Sequence, residues 1–148
     1  MQIRPAARDD LEELVAADGA ARGDPGRRDF LRAAIADGKA LVAVASGVIA
    51  GYAVLDHSFY GNAFLALLVV RADSRRRGFG TALLRAAEAR ARTPKLFTST
   101  NASNAPMRAL CARLGFVEAG RIGHLDEGDP EVVYVRLAGG AAAPEALP

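Results

Sequence analysis

The chain of 148 residues carries 19 basic and 17 acidic side chains, a formal net charge of +2, and 51% hydrophobic residues. This length fits one domain with its own hydrophobic core, and the charge excess is too weak to indicate a nucleic-acid partner. A single cysteine, Cys111, excludes an internal disulfide and a cysteine-based zinc cluster, and the two histidines offer little for a metal site, so we expect no metal.

The apolar segments are too short to suggest a membrane. Residues 1–13 contain no apolar signal core. The longest apolar stretch, residues 40–55, is interrupted by Ser46 and Gly47 and falls short of the roughly 20 residues that a spanning helix needs. We therefore expect a cytoplasmic protein with no membrane partner.

The first half of the chain alternates short strands with amphipathic helices. Leu11, Leu14 and Val15 share one helical face. Ser46 and Gly47 fit a tight hairpin between two apolar runs. We predict, in chain order, a strand at 1–4, a helix at 8–17, a turn at GDPG, residues 23–26, a helix with an apolar stripe at 30–35 that ends at Gly38, and strands at 40–44 and 48–55.

The second half begins with the segment AFLALLVV at 63–70, which is apolar on both faces and belongs in the middle of a sheet. Asn104 can cap a helix that Gly115 ends. We predict a helix at 79–92, a strand at 95–100, a helix at 105–114 and an antiparallel pair at 116–125 and 131–137. The fold class is mixed α/β in one domain, residues 1–138, and the low-complexity tail at 139–148 is predicted to be disordered.

The loop RADSRRRGFG, between the central strand and the next helix, combines glycines with positive charge at a helix start. Amide groups there have no intrahelical partner, and the helix dipole adds positive potential. Gly78 and Gly80 let an anion approach the backbone closely. The pattern predicts a pyrophosphate site, although it is neither the dinucleotide fingerprint nor a P-loop.

Two segments carry a family resemblance. LLVVRADSRRRGFGTALL resembles the acetyl-CoA-binding motif of the GNAT superfamily of N-acetyltransferases, and NASNAPMRALCARLGF resembles its next conserved block. The order of elements matches over about residues 1–138. The resemblance implies a mixed, mostly antiparallel twisted sheet of about seven strands with four helices, in which the parallel fourth and fifth strands splay apart. It also implies direct acetyl transfer from acetyl-CoA, the co-substrate, to an amine.

The resemblance also implies where coenzyme A binds. Backbone groups at the end of the fourth strand would bind the pantetheine arm, and an N–H near Val69 or Val70 would stabilise the tetrahedral oxyanion. Asn101 and Asn104 match positions that steady the pantetheine. The implied cofactor residues are Leu68, Val69, Val70, Arg75, Arg76, Arg77, Gly78, Phe79, Gly80, Thr81, Asn101 and Asn104.

The general base is not evident from the family pattern. Many members carry a Glu in the fourth strand, near the position of Ala66, but no carboxylate lies between Gly61 and Val70. His57 has a suitable intrinsic pKa, or it only orders a surface loop at 56–62. Tyr60 either lines the acceptor pocket or packs as an ordinary aromatic residue.

The general acid is equally open. Many members carry a Tyr where this chain has Cys111, as the acid that protonates the departing thiolate. Cys111 could donate that proton, form an acetyl-enzyme, or be a small buried hydrophobic residue. Tyr134 is a second candidate donor and otherwise a core or pocket-wall residue.

The stretch HLDEGDPE at 124–131 holds four carboxylates in the loop before the last strand. In this family that loop often borders the acceptor site, where the cluster would attract a cationic amine. Asp126 and Glu127 are the expected substrate contacts, and either could supply the base. The alternative is a solvated hairpin turn. A polyamine, an amino sugar, an amino acid and a peptide N-terminus all remain open as acceptors.

Other functions stay in view. A non-catalytic acyl-CoA-binding module is the main alternative to an enzyme, because the strand carboxylate and the helix Tyr are both missing. A nucleic-acid binder is disfavoured, since no aromatic stacking set accompanies the arginines. Succinyl- or propionyl-CoA could replace acetyl-CoA as donor. We expect a homodimer formed through the edge of the C-terminal strands.

Overall fold

The computed structural model describes residues 1–137, and the predicted tail lies outside them. These residues form seven strands: β1 Gln2–Pro5, β2 Ala40–Ala45, β3 Val48–Phe59, β4 Asn62–Val70, β5 Lys95–Asn101, β6 Val117–Ile122 and β7 Glu131–Leu137. They also form four α-helices: α1 Leu11–Ala17, α2 Pro25–Ala36, α3 Phe79–Arg90 and α4 Ala105–Arg113. No helix within residues 1–137 has both the length and the apolar character of a membrane span.

The strands form one sheet in the order β1-β2-β3-β4-β5-β7-β6. β4 and β5 are parallel, whereas β1 with β2, β2 with β3, β5 with β7, and β6 with β7 pair antiparallel. β4, the segment apolar on both faces, occupies the middle position of the sheet. The mixed sheet with four helices confirms the fold class predicted from the sequence.

Several helix boundaries differ from the prediction. A 3-10 turn at Arg8–Asp10 precedes α1, and α3 ends at Arg90, two residues early. α2 begins at Pro25, well before the stripe that revealed it, because the Asp24 side chain accepts a hydrogen bond from the Arg27 amide at 3.1 Å and caps the helix. The stretch GDPG, predicted as a turn, therefore contains the cap and the first two residues of α2.

β3 continues four residues beyond its predicted end, so Asp56–Phe59 belong to a strand and not to a loop. The turn that follows consists of Tyr60 and Gly61, with φ of 52° and 78°. Positive φ at both central residues of a two-residue connection matches the right-handed twist of the strands it joins. His57, expected in a surface loop, thus lies on a strand.

The chain divides into two compact units. The first comprises Met1–Leu55 and Ala66–Arg90. Its core packs side chains of α1 and α2 against β2 and β3, with Leu14, Leu31, Val42 and Tyr52 at 0% exposure. Inside this core the Tyr52 hydroxyl donates to Asp18 at 2.6 Å, and Arg27 pairs with the same carboxylate at 3.3 Å.

The second unit comprises, among the described residues, Asp56–Leu65 and 91–137. It contains β5, β6, β7 and α4, and its buried residues include Leu96, Thr98, Cys111 and Val132. Asn104 caps α4 by accepting from the Met107 amide at 3.3 Å, and Gly115 follows the helix with φ of 87°. Both signals were predicted from the sequence, and both are confirmed.

Candidate functional site

The loop between β4 and α3 belongs to the first unit and is exposed from Arg75 to Gly78. Gly78 has a φ of 88°, which favours glycine, and its carbonyl accepts from the Ala82 amide at 3.0 Å. The helix therefore begins at Phe79, and the amides of Phe79 and Gly80 lie in its first turn, where an α-helix offers them no acceptor. The loop has the open backbone that the sequence predicted.

Two side chains fix the ends of this loop. The Phe79 ring is 4% exposed and anchors the helix start, with the Arg77 guanidinium 5.6 Å from its centroid. The Arg75 Nε lies 3.4 Å from the Val70 carbonyl at the end of β4. Phe79, an expected cofactor residue, therefore offers its backbone to the loop, while its ring belongs to the core.

The end of β4 extends past its ladder with β5. That ladder joins Ala63 to Leu96, Phe64 to Phe97 and Leu65 to Thr98, three pairs in all among the described residues. The remaining residues of β4, Ala66 to Val70, are half-buried. The short ladder agrees with the splayed parallel strands that the resemblance implies.

A depression of about 490 Å³ in the first unit is lined in part by Ala66, which the family resemblance places near the strand Glu of many members. The charged groups at this depression come from α2 and its cap, not from β4. Its lining residues are Asp24, Gly26, Arg27, Phe30, Ala66 and Leu67. Asp24 and Arg27 were not predicted as site residues, because GDPG at 23–26 was interpreted only as a turn and Arg27 directly follows it.

In the second unit, Asn101 at the end of β5 and Asn104 at the start of α4 both make hydrogen bonds through their side chains. The Asn104 amide donates to Thr100 Oγ1 at 2.9 Å, and the Asn101 amide donates to Asp126 Oδ2 at 2.9 Å and to the Asp129 carbonyl at 3.2 Å. These bonds connect the turn between β5 and α4 to the HLDEGDPE stretch at 124–131, which we call the acidic loop. Asn101 thus has a structural role beside the pantetheine contact that the resemblance implies.

The acidic loop is held in place by further bonds. Asp129 accepts from the Ser103 amide at 3.0 Å and from the Ser103 hydroxyl at 2.6 Å. Glu127, whose side chain is 84% exposed, lies 3.5 Å from the exposed His124 ring. Glu131 differs, because burial, and then the charges of Asp126 and Asp129, raise the pKa of its carboxyl. The loop is thus docked on the turn after β5.

The two candidates from the 56–62 stretch occupy different surroundings. His57 Nε2 accepts a hydrogen bond from the Arg92 amide at 3.0 Å, and burial followed by the Arg92 charge lowers the pKa of the ring. The imidazole thus orders the connection after α3, and the nitrogen that would take a proton is engaged. Tyr60 is 90% exposed, with its ring edge-on to Phe59 at 5.1 Å.

The two candidate acids are both buried in the second unit. Cys111 is 0% exposed, and burial raises the pKa of its thiol to about 11, so the thiol stays neutral at physiological pH. This favours the packing alternative. Tyr134 is 6% exposed, and its hydroxyl oxygen accepts from Arg108 Nε at 3.0 Å, which leaves its own proton for donation.

Comparisons with known proteins agree with this architecture. A family model described as acetyltransferase (GNAT) family matches residues 8–116. A GNAT-family acetyltransferase from Bacillus cereus is 32% identical, covering 92% of this chain and 96% of its own, with a TM-score of 0.86. The Salmonella typhimurium protein yncA, solved with its cofactor acetyl-CoA, is 19% identical over 99% of this chain and 98% of its own, with a TM-score of 0.75, and shows the fold alone.

A curated relative matches part of the chain. Mycothiol acetyltransferase from Thermomonospora curvata is 44% identical over 77 residues, which are 52% of this chain and 26% of that enzyme. The match thus spans about a quarter of that relative's length. The family model, by contrast, includes the exposed loop before α3 and all of α4. The chain belongs to the GNAT family of acetyltransferases.

Proposed function

We propose that the protein is an N-acetyltransferase that moves the acetyl group of acetyl-CoA to a primary amine by direct attack. The observation that carries this proposal is the exposed loop at Arg75–Gly78, with its positive φ at Gly78 and the first turn of α3 behind it. Such a loop suits a diphosphate, because backbone amides, helix dipole and arginines all favour negative charge there.

The proposed chemistry has two proton transfers. An amine of pKa about 10 arrives as an ammonium ion and must lose a proton before it attacks. The backbone N–H of Val69 or Val70 would stabilise the oxyanion, and the departing thiolate gains a proton. Cys111 and Tyr134 remain the candidate donors. The hydroxyl of Tyr134 beside Arg108 has the stronger structural support, since Cys111 is sealed in the core.

An amine acceptor is supported by charge and by the names of relatives. The acidic loop concentrates carboxylates at the edge of the second unit, which favours a cationic group over a hydroxyl. A structural neighbour from Brucella melitensis, at 23% identity and a TM-score of 0.74, is named ribosomal-protein-alanine N-acetyltransferase. The proposal therefore includes both small-molecule and peptide amines, the same acceptor classes that were left open by the sequence.

The proposal is tested by calorimetry with acetyl-CoA and by free-thiol release with an amine panel: spermidine, glucosamine, lysine and an alanine-led peptide. We expect saturable binding and turnover with at least one amine. Gly80→Glu places a side chain and a negative charge at the loop, so its acetyl-CoA affinity should fall at least about tenfold. Unchanged affinity would contradict the loop assignment.

A non-catalytic acyl-CoA-binding module is favoured by two sequence features, Ala66 near the position of the implied strand Glu and Cys111 at the position of the implied helix Tyr. Binding of acetyl-CoA without thiol release from any amine would support that alternative. A homodimer is proposed on the exposure of Ile122 and Leu125, 42% and 62%, at and beyond the end of the edge strand β6, and light scattering tests it. Cytoplasmic location stays a prediction.

A further inference from the structure

Glu131, the first residue of β7, has a carboxylate oxygen without a partner. Its Oε1 atom is inaccessible to solvent and makes no hydrogen bond, and no other buried side-chain nitrogen or oxygen among residues 1–137 lacks a partner. A buried polar atom left in this way costs about 1–3 kcal/mol. Folding stability therefore does not explain a carboxylate at this position. A role in the chemistry of the site does explain it.

The other three carboxylates of the acidic loop are engaged or exposed. Asp126 accepts from Asn101, and Asp129 accepts twice from Ser103. The carboxylates of Asp126 and Asp129 are therefore already engaged by donors from the turn after β5. Glu127 has a side chain that is 84% exposed, so its surroundings resemble water. Glu131 alone in this loop combines partial burial with an oxygen that no donor stabilises.

The position of Glu131 in the sheet is also informative. It pairs directly with Asn101 across β5 and β7, and cross-strand partners project from the same face. Asn101 is the residue that the family resemblance places beside the pantetheine arm. Burial and the charges of Asp126 and Asp129 keep the pKa of Glu131 above its ordinary value, nearer to that of an effective base at neutral pH.

We propose that Glu131 is the general base of the acetyl transfer, replacing the strand carboxylate that is absent at Ala66. This assignment rests on the proposed function. The carboxylate of Glu131 takes one proton from the acceptor ammonium and becomes a neutral acid. The freed nitrogen lone pair forms the C–N bond to the thioester carbon and the C–S bond breaks. The Tyr134 hydroxyl protonates the departing thiolate, and the second nitrogen proton restores that hydroxyl. Glu131 then returns its proton to water.

The test compares Glu131→Gln with Glu127→Gln, which removes the same charge from the same loop. Each variant is assayed by free-thiol release with the amine that the wild type acetylates best in the panel above. We expect Glu131→Gln to lower kcat at least about 100-fold, the usual contribution of a general base, with acetyl-CoA affinity unchanged by calorimetry. Glu127→Gln tests the alternative base of the same loop, and its loss of kcat should be at least about tenfold smaller than that of Glu131→Gln.

A pH series separates proton transfer from a structural role. Each pH unit below the amine pKa changes the free amine about tenfold. The deficit of Glu131→Gln should therefore shrink as pH rises from about 7 to 9, and Glu131→Asp should recover part of kcat. A deficit that is constant with pH, or a Glu131→Gln kcat equal to that of Glu127→Gln, would overturn the base assignment and leave the enzyme proposal standing. A wild type that binds acetyl-CoA but acetylates no amine would overturn both.

Discussion

Replacing Gly51 of β3 by alanine should destabilise the protein through a steric clash with β4. A Cβ at this position would lie 2.5 Å from the Val69 carbonyl oxygen, 3.2 Å from the Val70 Cα and 3.3 Å from the Leu83 side chain. Two of these atoms are backbone, so they cannot rotate away and the strands must separate. Overpacking of this kind costs about 1–3 kcal/mol, and each kcal/mol lowers the Tm by about 2–4 °C at this chain length.

The clash should also reach the proposed cofactor site. The family resemblance implies that backbone groups at the end of β4, including Val70, would bind the pantetheine arm, so their displacement should weaken acetyl-CoA binding together with the Tm. Gly120 of β6 is a matched control, because an added Cβ there meets no atom within 4 Å. Gly120→Ala should leave binding unchanged and keep or raise stability by up to about 1 kcal/mol. Thermal melts and calorimetry measure both effects, and a Gly51→Ala protein that melts at the wild-type temperature would refute the close approach of β3 and β4.

Two further predictions concern buried groups. Cys111→Ala should lower the free energy of unfolding by about 1 kcal/mol while kcat stays within about threefold, because the thiol fills space in the core; a large loss of kcat with the fold intact would restore Cys111 as the acid. Asp10 accepts two hydrogen bonds from Arg4 and one from the Ala7 amide, and the Arg4 bond is the main reason that its pKa is lowered. Asp10→Asn should cost about 1–3 kcal/mol at pH 7. Since a lowered pKa stabilises the fold above the unfolded value of about 3.9 and loses that effect as pH falls through the folded value, urea titrations should show the two proteins converging below about pH 4.

The parts of the fold predicted well are those that local chemistry determines. β4 was placed at the centre of the sheet because it is apolar on both faces, and the cap and stop of α4 follow from Asn104 and Gly115. The end of β3 was missed because Asp56, His57 and Ser58 are weak strand formers. The turn after this strand was missed as well, because a tyrosine at φ of 52° is not expected from composition.

The candidate site also has a part that the local sequence predicts and a part that it does not. The exposed loop before α3 could be predicted, because a helix start, its glycines and its arginines are adjacent in the chain. Glu131 could not be distinguished from its three acidic neighbours, because the difference lies in bonds across the sequence. Asn101 and Asp126 are 25 residues apart, and Ser103 and Asp129 are 26 apart. Only the folded chain shows which carboxylates these donors leave free.

Asp18, which accepts from Tyr52 and pairs with Arg27, holds the positive charge of Arg27 in a fixed position at the depression beside Ala66. Asp18 is 4% exposed, so dissolved ions screen its attraction for the guanidinium far less than they screen a surface pair. Arg27 is therefore oriented before any molecule arrives, and little rotamer entropy remains to be lost when one does.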